Sequence, residues 1–433
     1  MIQSNISRRR ALQGTLAAAS VGVFGSACAP AGRLPPETRP DPTRPEGIDL
    51  MPGVEHIVIY MQENHSYDSY FGMLGRGDGF TRGPDGRPTN SNPGTGGSPV
   101  VVRHATSTCA GAGTSQNWND THDQINGGAM DGFARLSPDA LQYWDAGDLP
   151  FYHSLANTFV VCDRWFTSCP GQTYANRRYL QAATSVGLVE TDLDRVAQTP
   201  DAPNGTIWDR LNAHGISWTD YAYDLPDIAL FPRVLLTNTT RVSSTHQFLL
   251  DCASGRLPAV SIVSPGYENF TEEPPADINR GEAFSARLVN AVMSGPKWGS
   301  TVMFFMYDEH GGFYDHVTPP AAVPPDSIGP QINTDVGDRP GAFDRYGVRV
   351  PAIVISPFAK RDHVSHVVHD HTSVLRFIET KYNLGALTYR DANASDLLDT
   401  LDFEAKAFLE PPVLALPARP DGSSTCKPGP PLP

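Results

Sequence analysis

The chain has 433 residues, 40% apolar and 18% charged, with 47 acidic against 33 basic side chains and a formal net charge of −14. That is enough for one large α/β domain or two medium ones with a sizeable core. The acidic balance argues against a nucleic-acid partner, whose binding rests on basic groups, and gives no help on an anionic membrane surface.

Taken in order, the first segment is "SRRRAL", which puts Arg8-Arg9, with Arg10 behind them, ahead of the weakly apolar "LQGTLAAASVGVF". This predicts a twin-arginine export signal over residues 1–29, the twin-arginine export machinery as a partner, and a place in the cell envelope or outside the cell. The signal ends in "FGSAC", which offers Cys28 for lipidation, although Gly25 stands where a lipobox usually has Leu. Residues 30–50 read as a Pro-rich tether, 51–409 as the main domain and 410–433 as a Pro-rich tail. No run of 18 apolar residues follows the first thirty, so no transmembrane helix is expected in the mature chain. Cys109, Cys162, Cys169, Cys252 and Cys426 show no zinc-type spacing. In an exported protein some of them should pair, and Cys162 with Cys169 is the nearest couple.

Four short apolar runs read as buried parallel strands: "VEHIVIYM" (54–61), "PAVSIVSP" (258–265), "STVMFFMYD" (300–308) and "VRVPAIVISP" (348–357). Helical spacing occupies 173–184, 281–295 and 371–385, the last with Thr372 or Ser373 as cap and Gly385 beyond its end. Alternating strands and helices predict an α/β fold: a doubly wound, mostly parallel sheet with helices on both faces. Ligands bind such sheets beyond the carboxyl ends of the strands. "QENHSYD", "YDEHGGFYDH" and "SPFAKRDHVSHVVHDHTS" follow the first, third and fourth runs, so polar clusters are expected there.

Glu63, Asn64, Asp308 and Glu309 are oxygen ligands at two strand ends, and such a set suits one hard or borderline divalent metal ion. Each alone could equally cap a helix. Thr173 follows Gly171 at a predicted helix start, where free N–H groups favour a phosphate. A cation on its hydroxyl would activate it as a nucleophile. Ser168 and Ser185 compete without that context. His122, His310, His316, His366, His369 and His371 are available as leaving-group acids, and spacing does not choose among them.

The stretches "HIVIYMQENHSYDSYFG", "THDQINGGAMDGFAR", "SCPGQTYANRRYL", "YDEHGGFYDHVTPP" and "GVRVPAIVISPFAKRDHVSHVVHDHTSVLRFIE" span residues 54–385. Together they resemble the phosphoesterase family of bacterial non-specific phospholipases C and related acid phosphatases, in the alkaline phosphatase superfamily. The resemblance implies an alkaline-phosphatase-like fold, metal ligation by Glu63, Asn64, Asp308 and Glu309, and Thr173 as nucleophile. It further implies that Asn176 and Arg177 support the nucleophile loop, and that His122, His316 and His371 surround the phosphate and leaving group. One departure touches the substrate site: "NFTEEPPADINRGEAF" places Glu273 where the family usually has His.

The expected activity is therefore metal-dependent hydrolysis of phospholipid-type phosphodiesters through a phosphothreonine. The alternatives are an acid phosphatase acting on phosphomonoesters and a catalytically weak lipoprotein that binds a head group. Tyr67, Tyr70, Trp118, Tyr143, Trp144 and Trp165 are available for a cage around a choline-type cation. A sulfatase is disfavoured, because "TSCPGQT" lacks the Arg of that family's modification motif.

Overall fold

The structure is a computed structural model, and it describes residues 32–109 and 114–419. The export signal, Cys28 and Cys426 lie outside those residues. The main sheet has eight strands: β1 (His56–Gln62), β2 (Val160–Cys162), β3 (Trp218–Ala222), β4 (Val242–Ser244), β5 (Val260–Ser264), β6 (Thr301–Tyr307), β7 (Ala352–Ile355) and β8 (Val364–Ser365). Their spatial order is β8-β2-β7-β6-β1-β5-β3-β4. Every residue of β1 and of β6 is buried, so both faces of the sheet centre are covered, which is why these strands read as continuous Ile, Val, Met and Phe. The helices that matter to the site are α1 (Tyr67–Phe71), α2 (Trp118–Ile125), α3 (Thr173–Ala182), α4 (Ile278–Ser294) and α5 (His371–Tyr382).

The sheet is mostly parallel, as expected, but β7 is not. It pairs antiparallel with β6 on one side and with β2 on the other. The reason lies in the connection. A parallel strand needs a crossover back to the starting edge, usually a helix. Between β6 and β7 the chain has only one short 3-10 turn, Thr334–Val336, so it re-enters the sheet from the edge it left. The polar run after β7 therefore begins at the far edge. It returns through β8, which is parallel to β2, and only then delivers His369, Asp370 and His371 to the carboxyl-end side.

Three further expectations change. The α5 N-cap is Asp370, whose N–H donates to Ser373 Oγ at 3.2 Å, rather than Thr372 or Ser373. Cys162 and Cys169 are buried free thiols, and Cys109 is disulfide-bonded. The segment read as a tether is docked from Leu34 onward. The Asn383 amide at the end of α5 donates to the carbonyls of Asp41, Arg44 and Pro45, and the Gly47 N–H donates to the Tyr382 carbonyl. Among the described residues no helix is long and apolar enough to cross a membrane.

Candidate active site

β1 and β6 run in register, from His56 opposite Thr301 to Gln62 opposite Tyr307. Both strands thus end at the same height, and Glu63-Asn64 and Asp308-Glu309 leave the sheet side by side. The Asp308 N–H donates to the Gln62 carbonyl at 3.0 Å, which carries the ladder past the strands. All four residues are buried. Asn64 Nδ2 donates to Glu309 Oε1 at 2.5 Å, and the Glu309 and Gly311 N–H groups donate to Asp308 Oδ1 and Glu309 Oε2, each at 2.7 Å. Gly311 has φ +62°, and a Cβ there would sit 2.3 Å from the Asn64 carbonyl oxygen. Only glycine lets this loop close on Asn64.

Thr173 opens α3, and its Oγ1 donates to Glu309 Oε1 at 3.5 Å. The N-cap, Gln172, makes no side-chain capping bond, since its Oε1 accepts from the Thr191 N–H instead. The first-turn N–H groups are therefore uncapped by side chains, the arrangement that receives a phosphate. Asn176 holds the preceding loop: its Nδ2 donates to the Gly171 carbonyl at 2.9 Å and its Oδ1 accepts from the Cys169 N–H at 3.1 Å. Ser168 is turned away and donates to Asp370 Oδ2 at 2.8 Å.

Arg177 joins the pieces. Its Nε donates to Asp308 Oδ2 at 2.9 Å, Nη1 to Asp227 Oδ1 at 2.9 Å and Nη2 to Glu63 Oε2 at 3.4 Å. Its guanidinium also lies over the Tyr267 ring, 4.8 Å from the centroid. Burial, and then the charge of Asp308, push Glu63 and Glu309 well above the usual carboxylate range. Burial lifts Asp308 to about 6 against the pull of Arg177. Three carboxylates, counting Asp227, thus share one guanidinium, and Glu309 beside them has none. Asn64 Oδ1 is buried beside them with no hydrogen-bond partner. Surplus anionic oxygens and an orphaned amide oxygen fit a hard divalent cation.

The expected histidines separate. His371 stays with the ligand set: its Nε2 donates to the Asp308 carbonyl at 2.8 Å and its Nδ1 accepts from Trp165 Nε1 at 3.3 Å. Burial lowers it to about 4, so it is a neutral clamp on the Asp308 backbone. His122, on α2, donates from Nδ1 to the Trp118 carbonyl at 2.7 Å. It lines a cavity of about 200 Å³ with Pro170, Gly341, Asp344 and Arg345, beside the loop that leads to Thr173. His316 is engaged elsewhere, at 2.6 Å from Asp68 and 3.3 Å from Asp78. Burial opposes its charge, but the hydrogen bond and charge of Asp68 prevail and raise it to about 9. Asp68, Asp315 and His316 place ligand atoms within 4.8 Å of one another. Arg349 lies 3.1 Å from Asp68 and 2.9 Å from Asp315 and neutralises part of that group, as Arg177 does for Glu63 and Asp308.

Glu273 is half-buried, and its Oε1 accepts from Gln116 Nε2 at 2.9 Å. Its neighbour Glu272 donates its N–H to the Glu63 carbonyl at 2.6 Å. The six aromatic residues considered for a cage are all buried in the hydrophobic clusters rather than grouped around an opening. Asp227 and Tyr267 were missed. They follow β3 and β5, and "WTDYA" alternates instead of forming an apolar run, so β3 and the turn beyond it gave a weak signal.

The sequence model of the phosphoesterase family matches residues 54–385. Among curated proteins, non-specific phospholipase C6 of Arabidopsis thaliana is 33% identical over 58% of this chain and 51% of its own. Non-hemolytic phospholipase C of Pseudomonas aeruginosa is 31% identical over 81% and 57%, and phospholipase C B of Mycobacterium tuberculosis 31% over 81% and 78%. The chain thus spans little more than half the length of the first two. A solved structure of a protein in the alkaline phosphatase superfamily from Vibrio parahaemolyticus covers 73% of this chain and 74% of its own at TM-score 0.36 and 12% identity, too slight a likeness to carry an argument. With the family model matched over residues 54–385, from β1 to α5, the chain belongs to the phosphoesterase family.

Proposed function

We propose that this protein hydrolyses phosphate esters, with phospholipid-type phosphodiesters as preferred substrates, through a phosphothreonine on Thr173. The observation that carries this reading is the contact of Thr173, at an uncapped helix start, with Glu309, one of four buried oxygen-bearing residues at two strand tips. The names of the phospholipase C relatives support it. A divalent cation held by Glu63, Asn64, Asp308 and Glu309 would supply positive charge for a phosphoryl oxygen. The N–H groups at the start of α3 hold the phosphate from the other side. Glu309 Oε1, which accepts from Thr173 Oγ1, receives the proton of the attacking hydroxyl. The Oγ–P bond forms as the ester P–O bond breaks. We assign the leaving alcohol's proton to His122, whose ring borders a cavity and is held at Nδ1 by the Trp118 carbonyl, whereas both ring nitrogens of His371 and of His316 are engaged by partners. Water then cleaves the Oγ–P bond, giving its proton to the His122 imidazole left neutral by the first step, while Glu309 returns its proton to Thr173 Oγ. Asn176 and Arg177 position the loop and the carboxylates. The Arg8-Arg9 signal supports export, which Arg8→Lys with Arg9→Lys should block.

The test is a substrate panel on purified protein: a choline phosphodiester, a phosphomonoester and a sulfate ester, each with and without chelator. Turnover of the diester that chelator abolishes supports the reading. Preference for the monoester moves the protein to the acid phosphatases. Head-group binding without turnover makes it a binding protein.

A further inference from the structure

Glu273 is a carboxylate beside this site whose side-chain partner is a neutral amide, Gln116. Three loops meet around it. The loop after Glu309 packs its Gly311 on Asn64 and its Gly312 on Ser115. Gln116, next to Ser115, donates Nε2 to Glu273 Oε1 at 2.9 Å. Glu272, on the other side, is bonded through its N–H to the Glu63 carbonyl. Glu273 is thereby fixed beside the ligand set, and its own N–H donates to Thr271 Oγ1 at 3.0 Å. Among the described residues no arginine, lysine or histidine forms an ion pair with it, and its side-chain partner is a neutral amide. Arg177, the guanidinium of the site, is fully taken by Glu63, Asp227 and Asp308. After burial and closer partners, the charge of Glu273 also contributes to holding Glu63, Asp308 and Glu309 high.

A fixed negative charge at the edge of a phosphate site acts on the charge of the substrate. A phosphomonoester is largely a dianion at neutral pH, whereas a phosphodiester is a monoanion. A diester carrying a quaternary ammonium has no net charge and presents a cation. We propose that Glu273 sets the charge selectivity of this site, disfavouring phosphomonoester dianions and favouring phosphodiesters that retain a cationic head group on the phosphate. The inference rests on the phosphoesterase reading. Because Glu273 is half-exposed, solvent screens it, and one unit charge a few water diameters away changes binding about 5- to 10-fold.

The experiment uses three substrates with one leaving group: p-nitrophenyl phosphate, methyl p-nitrophenyl phosphate and p-nitrophenylphosphocholine. Their kcat/KM values are compared for wild type, Glu273→Gln and Glu273→Asp, with unfolding midpoints as a check on folding. Glu273→Gln should raise the monoester about 5- to 10-fold relative to the methyl diester and should lower the choline diester relative to it. Glu273→Asp should keep the wild-type order. Ratios that stay within about twofold in Glu273→Gln overturn the proposal while leaving the phosphoesterase reading intact. Absence of wild-type turnover on all three substrates overturns that reading instead. Calorimetric binding of inorganic phosphate against glycerophosphocholine then decides the charge question without turnover: an unchanged preference in Glu273→Gln refutes it.

Discussion

Replacing Arg177 with Met keeps most of the side-chain volume and removes the charge shared by three buried carboxylates. The contacts at stake are 2.9 Å to Asp308, 2.9 Å to Asp227 and 3.4 Å to Glu63. At an effective dielectric constant near 20, unit charges about 4 Å apart attract by about 4 kcal/mol, so the gross loss exceeds the stability of many domains. Two effects offset it. Methionine has no desolvation cost, and the stranded carboxyls can take up protons. The net loss from breaking such a buried pair is about 3–5 kcal/mol. It should depend on pH. Without Arg177 the folded-state pKa of Asp308 rises further above its present value of about 6, and Glu63 rises with it. A carboxyl raised on folding binds its proton more tightly in the native state. Stability then falls as pH rises from the unfolded value towards the folded one. In chelator, urea unfolding of Arg177→Met should therefore show a larger loss at pH 7.5 than at pH 5. Arg177→Lys, which keeps one charge, should lose less. Saturating divalent cation should return part of the stability, about 2.7 kcal/mol at a hundred times its Kd. A loss below about 1 kcal/mol that ignores both pH and metal would show that Arg177 is not neutralising this cluster.

Thr173→Ala should cut turnover about 10³-fold or more, Thr173→Ser should retain part of it, and Ser168→Ala should do little; rapid quench with phosphorus-labelled substrate should trap label on Thr173. Glu309→Gln and Asp308→Asn should weaken divalent-cation binding measured by calorimetry while leaving the far-UV spectrum unchanged, and unaltered affinity would move the metal away from these residues. His122→Asn should slow esters with poor leaving groups by about 10²-fold and spare p-nitrophenol esters, which need no proton, so equal losses on both would remove it as the acid. His316, raised to about 9, contributes stability that is complete below its unfolded value near 6.5 and is lost as pH rises through about 9. A His316→Asn variant should therefore be about 1.5–3 kcal/mol less stable than wild type at pH 6, with the gap closing by pH 10.

Residues that announced themselves in the sequence did so because backbone order places them. Glu63 and Asp308 each follow directly on a continuous apolar strand, and two parallel strands in register must release their next residues together. Thr173 was legible for a similar reason, since a Gly-containing turn before helical spacing defines a helix start whatever lies around it. Long-range partners lacked such a signal. Asp227 reaches Arg177 from a turn beyond β3, and the sequence separation of 50 residues carries no pattern. The direction of β7 was misjudged because a buried run of Ala, Ile and Val reads alike in parallel and antiparallel pairing. What decided it was the absence of a crossover helix between β6 and β7, a property of the connection rather than of the strand. His316 shows the opposite limit. Its motif, "YDEHGGFYDH", also contains Asp308 and Glu309, yet the two glycines after His310 turn the chain so that the far half of the motif joins Asp68, Asp78 and Arg349 instead. One contiguous motif therefore serves two clusters: its first half places Asp308 and Glu309 at the tip of β6, and its second half, through Asp315 and His316, ties Asp68 of α1 to the segment entering β7. Substitutions in the first half should be read in metal affinity and turnover, and those in the second half in stability and its pH dependence.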